Sequence, residues 1–154
     1  MEIALIIAGL IAATILFLWM RAFSRRREAA INVVLGKATY LALAPDDQSK
    51  VSRKAEEILR ELMAGRFNGF NSEVDRFGWY AIAMAHLAIP PVVNDYCYPK
   101  WYFVDNPFFA ILPGDKMVES ICRELKNKHR VEVVVSQEHK LFDRIRDGLN
   151  KKNS

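Results

Sequence analysis

The sequence predicts a mainly helical α+β fold: one N-terminal transmembrane helix, then one soluble domain of about four helices with a small two- or three-stranded sheet. Three observations carry this. Residues 1–20 form an almost uncharged apolar run, several later stretches repeat apolar residues at helical spacing, and VEVVV at 131–135 has the β-branched composition of a strand. The organisation that follows is a membrane span at 1–20, a basic flank at 21–27, a domain at 28–149 and a polar tail at 150–154.

The first run reads MEIALIIAGLIAATILFLWM, with Glu2 as its only charge. Twenty helical residues extend roughly 30 Å, the thickness of a bilayer's hydrocarbon core. A cleavable signal peptide would place its cations before the apolar core and a small-x-small site after it. Here the order is reversed, because Arg21, Arg25, Arg26 and Arg27 follow the run and Trp19 stands at its end. The expectation is a retained single-pass anchor with its N-terminus outside and its C-terminal side in the cytoplasm, following the positive-inside rule. Trp19 and the four arginines form the membrane flank, where anionic lipid headgroups are natural partners. Ala8 with Ala12, and Gly9 with Ala13, place small residues four apart, a spacing that permits close helix contact and self-association.

Charge is distributed unevenly. The chain of 154 residues carries a formal +4, but residues 28–154 hold 18 basic and 17 acidic side chains, a net of only +1. The basic character resides in the flank, so nucleic acid is not an expected partner of the domain. Cys97 and Cys122 lack a C-x-x-C spacing and read as free thiols in a reducing compartment.

Glu28 to Ala44 is nearly all apolar, with Asn32, Gly36 and Thr39 in a narrow polar stripe at helical spacing. It reads as a helix continuing from, or hinged to, the span, and Glu28, Asn32 and Lys37 oppose a second membrane insertion. Pro45, Asp46 and Asp47 punctuate the chain and offer N-caps. From about Asp47 to Ala64, Val51, Ala55, Ile58, Leu59, Leu62 and Met63 share one face, with Arg53–Glu57 and Glu56–Arg60 as i, i+4 pairs outside it. Ser72 and Asp75 resemble a capping box opening a helix over Glu73 to Ala88. That helix is apolar nearly all round, and so is expected to be the surrounded hub of the domain.

Ile89 to Gly114 holds five of the six prolines and seven of the seventeen aromatics. It reads as a long connection with short strands at Trp101 to Val104 and Phe108 to Leu112. Aromatic side chains bury large rigid areas at interfaces, which makes Tyr96, Tyr98, Trp101, Tyr102, Phe103 and Phe108 the candidate partner-binding residues. Pro113-Gly114-Asp115 starts a further amphipathic helix that ends in Lys126 to Arg130. Val131 to Val135 then reads as a strand, parallel to Phe108 to Leu112 across a βαβ crossover. Ser136 caps a last helix carrying Leu141, Phe142, Ile145 and Leu149 inward.

The sequence contains no phosphate-binding loop, dinucleotide fingerprint, H-E-x-x-H or G-x-S-x-G. Glu138, His139 and Asp143 share a helical spacing too sparse for a metal site. Asp105, Glu138 and Lys140 match the acid-and-lysine pattern of metal-dependent nucleases poorly. No cofactor or metal is therefore expected. The reading is a membrane-anchored interaction or assembly module with a membrane or cytoplasmic protein partner. The alternative is a tethered enzyme with His86, Asp95 and Cys97 around a pocket between the hub helix and the proline-aromatic segment.

Overall fold

A computed structural model describes residues 2–98 and 114–136, and within them the chain forms four helices. Helix α1 runs unbroken from Glu2 to Ala42, α2 from Pro45 to Leu62, α3 from Glu73 to His86 and α4 from Asp115 to His129. Helix α1 touches all three others, most extensively α3, while α2 packs mainly on α3 and α4 on α1. The apolar run and the 28–44 stretch are thus one helix with two fates. Its first half is bare, with Ile3 74% exposed and Trp19 65% exposed. Its second half is core, with Ala29, Ala30, Val33, Val34 and Leu35 buried.

The close contact of α1 with α3 is made through Gly36. A Cβ built there would stand 2.5 Å from the Phe77 carbonyl oxygen and 3.3 Å from Ala81 Cβ. The missing side chain therefore sets the distance between the two helices. Around this crossing, Tyr40, Phe77 and Tyr80 pack ring to ring, with centroids 4.8 to 5.9 Å apart. Phe67 and Phe70, from the turn between α2 and α3, extend the cluster onto Tyr80. A hydroxyl–hydroxyl hydrogen bond of 2.7 Å joins Tyr80 to Ser52 of α2. As the hub reading expects, α3 is buried without a break from Phe77 to Met84.

The helix ends follow from local chemistry. Pro45 occupies the first turn of α2 with Ala44 as N-cap and no side-chain cap, so Asp46 and Asp47 lie inside that turn, where carboxylates favour the helix dipole. The expected capping role of these aspartates is not observed. Instead, Gln48 Nε2 donates to the Tyr40 and Leu43 carbonyls, closing the end of α1 from the next helix. At α3, Ser72 Oγ accepts from Asp75 N–H as expected, but the Asp75 carboxylate accepts from Asn71 N–H, one residue earlier than a capping box requires. Of the predicted surface pairs, Arg60–Glu56 forms at 3.0 Å, whereas Glu57 pairs with Lys54.

The predicted fold class requires correction, because the described residues contain no strand and no sheet. Helix α4 ends with Arg130 in the left-handed region, φ 55°. Arg130 N–H reaches back to the Lys126 carbonyl, the single bond of an αL closure, and Val131 N–H to that of Leu125. The chain then runs extended over 131–136, with Val133 and Val135 buried and Val134 79% exposed. β-Branched residues do produce the alternating backbone, but a strand also needs a ladder partner. Here the inward valines instead join the same hydrophobic core as the helices. With no strand at Val131 to Val135 the expected βαβ crossover is overturned as well, while the expected strands at Trp101 to Val104 and Phe108 to Leu112, the body of the last helix and the polar tail lie outside the described residues.

The extended segment is fastened by Glu73. Its Oε2 accepts from Lys37 Nζ at 2.7 Å and from Ser136 N–H at 2.7 Å, joining α1, α3 and 131–136 at one carboxylate. Burial by itself would push this carboxyl up, yet the Lys37 ammonium and the Ser136 N–H hold it below the ordinary value. A lowered folded pKa stabilises the fold above the unfolded value, and the contribution is lost as pH falls through the folded one. Glu73→Gln is therefore expected to cost about 1–2 kcal/mol near neutral pH. Denaturation of wild type and variant should converge as pH falls below about 4.

Candidate functional site

Two places in the fold gather the residues singled out in the sequence. The first is the polar stripe of α1, which receives the segment following α3. Asn32, Gly36 and Thr39 face inward, and two tyrosines reach down to them. Tyr96 donates its hydroxyl hydrogen to Asn32 Oδ1 at 2.6 Å. The Tyr98 hydroxyl pairs with Thr39 Oγ1 at 2.8 Å, and the same oxygen accepts from Val92 N–H at 3.1 Å. Burial pushes the Tyr98 phenol well above its ordinary pKa, against the partial relief of the Thr39 bond. The two rings meet edge to face at 6.0 Å. Asn32 is fully buried, and its Nδ2 has no hydrogen-bond partner among the described residues.

Of the candidate partner-binding aromatics, Tyr98 is thus buried and Tyr96 half-buried, both attached to α1. Trp101, Tyr102, Phe103 and Phe108 lie outside the described residues, as do Asp105, Glu138, His139, Lys140 and Asp143. His86, Asp95 and Cys97 are all exposed. Asp95 lines a cavity of about 170 Å³ with Arg27, Tyr96, Glu124 and His129, to which neither His86 nor Cys97 contributes. Among the described residues, no three His, Cys, Asp or Glu side chains converge as a metal site. Cys122 sits half-buried between α4 and the extended segment, where burial raises its thiol. Cys97 is a free, exposed thiol.

The second place is the junction of the basic flank with α4. Arg27 Nη2 lies 2.9 Å from Glu124 Oε2, while Lys128 Nζ holds the other oxygen at 2.8 Å. Lys128 first, and Arg27 with it, hold the Glu124 carboxyl below its ordinary pKa. One arginine of the flank is therefore a tie between α1 and the domain. At about 100° per residue, Arg26 and Arg27 fall on the same side of α1 as Phe23, while Arg21 and Arg25 fall on the opposite side. Phe23, Arg26 and Arg27 line an open cleft of about 780 Å³, closed across from them by Gly114, Lys116, Met117, Ser120 and Ile121. Trp19 stacks on Phe23, ring centroids 6.0 Å apart.

This cleft was not anticipated from the sequence, although one signal for it was present. Spacing alone sorts the four arginines onto two faces. What spacing cannot reveal is that α4 stands beside one of them. Comparison with protein-family models, with curated proteins and with solved structures finds no match to this chain.

Within the Ile3–Ala42 span candidate, the most apolar 18-residue window has a mean hydropathy of 2.6, and none of it is buried against the rest of the chain. The N-terminal helix is long and apolar enough to cross a membrane.

Proposed function

We propose that the chain is a single-pass membrane-anchored interaction or assembly module, with its N-terminus outside and its helical domain on the cytoplasmic surface. The observation that carries this reading is the double use of α1. The helix that presents an uncovered apolar half is also the helix on which the domain is built. No linker separates them, so the domain is held at the membrane surface and its contacts there operate at raised local concentration. The arginines on the C-terminal flank of the span support the orientation.

Within this reading, partner contact belongs to the proline-aromatic segment through Trp101, Tyr102, Phe103 and Phe108. Tyr96 and Tyr98 serve as the posts that fasten that segment to α1. Self-association through Ala8, Gly9, Ala12 and Ala13 is a second route to assembly, and Gly9 has open space around it.

Crosslinking of the full-length protein in intact membranes, followed by affinity capture, tests the assembly role. A defined stoichiometric complex, lost when Trp101, Tyr102 and Phe103 are replaced by alanine in a folded protein, is the expected result. Recovery of the protein alone would overturn it. Orientation is tested on Cys97, whose exposed thiol should react with a membrane-impermeant maleimide only after the membrane is opened.

A further inference from the structure

We infer that the cleft between the basic flank of α1 and the start of α4 is a discrete binding site for the headgroup of an anionic phospholipid. The inference rests on α1 spanning the membrane and goes beyond general attraction of a basic flank to a charged surface. Its first support is depth. Arg26 lies six residues past Met20, roughly 9 Å along the axis, and helical side chains lean back toward the N-terminus, here toward the bilayer. That places its guanidinium at the level of the lipid phosphates, a layer roughly 5–8 Å thick outside the hydrocarbon.

The second support is charge. Five ionisable side chains line the cleft: Arg26, Arg27, Lys116, Asp115 and Glu124. Arg27 and Glu124 are committed to each other at 2.9 Å. Arg26 and Lys116 have no carboxylate partner among the described residues, and they face the same space from the two walls. A phosphate between them would be gripped from both sides. The third support is the lining, because Phe23, Met117 and Ile121 give the cleft an apolar side, and the Trp19–Phe23 stack continues it down to the span. An amphiphile with an anionic head and a hydrocarbon tail matches this gradient better than a soluble anion does. The volume of about 780 Å³ lies within the range of small-molecule sites.

The distribution of the arginines supplies a charge-matched control. Arg26→Ala/Lys116→Ala removes two cations from the cleft, and Arg21→Ala/Arg25→Ala removes two from the opposite face. Native mass spectrometry of the full chain released from nanodiscs containing phosphatidylglycerol and phosphatidylcholine should show one retained phosphatidylglycerol per protein. The cleft pair should weaken that retention about tenfold or more, and the control pair by no more than about twofold. Equal losses in both pairs, or no preference for phosphatidylglycerol, would overturn the assignment. Millimolar inorganic phosphate should leave the lipid in place, and displacement by it would reassign the cleft to a soluble anion. Unchanged helical circular dichroism checks that each variant is folded, and Lys116→Glu, an exposed single change, should abolish retention by itself. Alkaline carbonate extraction of the wild type separates the two readings. Release into the soluble fraction would remove the span itself, whereas a membrane-retained protein without lipid preference would remove only the site.

Discussion

Replacing Gly36 with alanine is expected to destabilise the domain by about 2–3 kcal/mol, the cost of forcing an extra carbon into a packed contact. The sign is opposite to that of helix propensity, which favours alanine over glycine by about 1 kcal/mol in a helix interior. Packing wins because the new Cβ would lie 2.5 Å from a backbone oxygen of α3, and backbone cannot swing aside as a flexible side chain can. The helices must separate, and the aromatic contacts of Tyr40 with Phe77 and Tyr80 go with them. Chemical denaturation of the full chain in detergent, followed by the near-ultraviolet signal of buried Trp79, measures the loss. A neutral or stabilising result would show that α1 and α3 do not cross at Gly36.

Thr39→Val should cost about 2–4 kcal/mol although it barely changes volume. Thr39 Oγ1 serves two groups, the Val92 N–H and the Tyr98 hydroxyl, and valine leaves both unpaired at a site only 2% exposed. Tyr98→Phe removes a single hydroxyl and should cost about 1 kcal/mol. Combined with Thr39→Val it should cost less than the two changes summed, because the second substitution removes one of the groups that the first stranded. Amide exchange at Val92 gives an independent reading, with faster exchange expected in the threonine variant and little change in the tyrosine variant. Full additivity, with Val92 still protected, would refute the shared bond.

These two residues also mark how far the sequence could be read. Asn32, Gly36 and Thr39 were visible as a polar stripe, since helical spacing is a local property. Their partners lie 41 to 64 residues away, at Phe77, Val92, Tyr96 and Tyr98, and no local pattern records such distances. Helices α2, α3 and α4 were legible within a few residues because amphipathic periodicity and capping residues act over one or two turns. Continuation of α1 through Arg25 to Glu28 was one of two alternatives, and nothing in that stretch breaks a helix. VEVVV misled for a physical reason. Side-chain branching determines the backbone's extended shape, whereas membership of a sheet depends on what arrives alongside. The basic flank was legible as a flank, but its division into Arg27 on Glu124 and Arg26 in a cleft required α4 to be placed in space.

On the membrane-anchored reading proposed above, the unbroken course of α1 gears the domain to the membrane. Each residue between Met20 and Ala29 sets the heading of the bundle by about 100° and its height by about 1.5 Å. One alanine inserted there would turn the whole domain by that angle about the span, carrying the α4 side away from whatever lies beneath it. Seven would lift it by about 10 Å yet return it to within about 20° of its original heading. A neighbour that twisted the span within the bilayer would, by the same coupling, steer the surface presented above it.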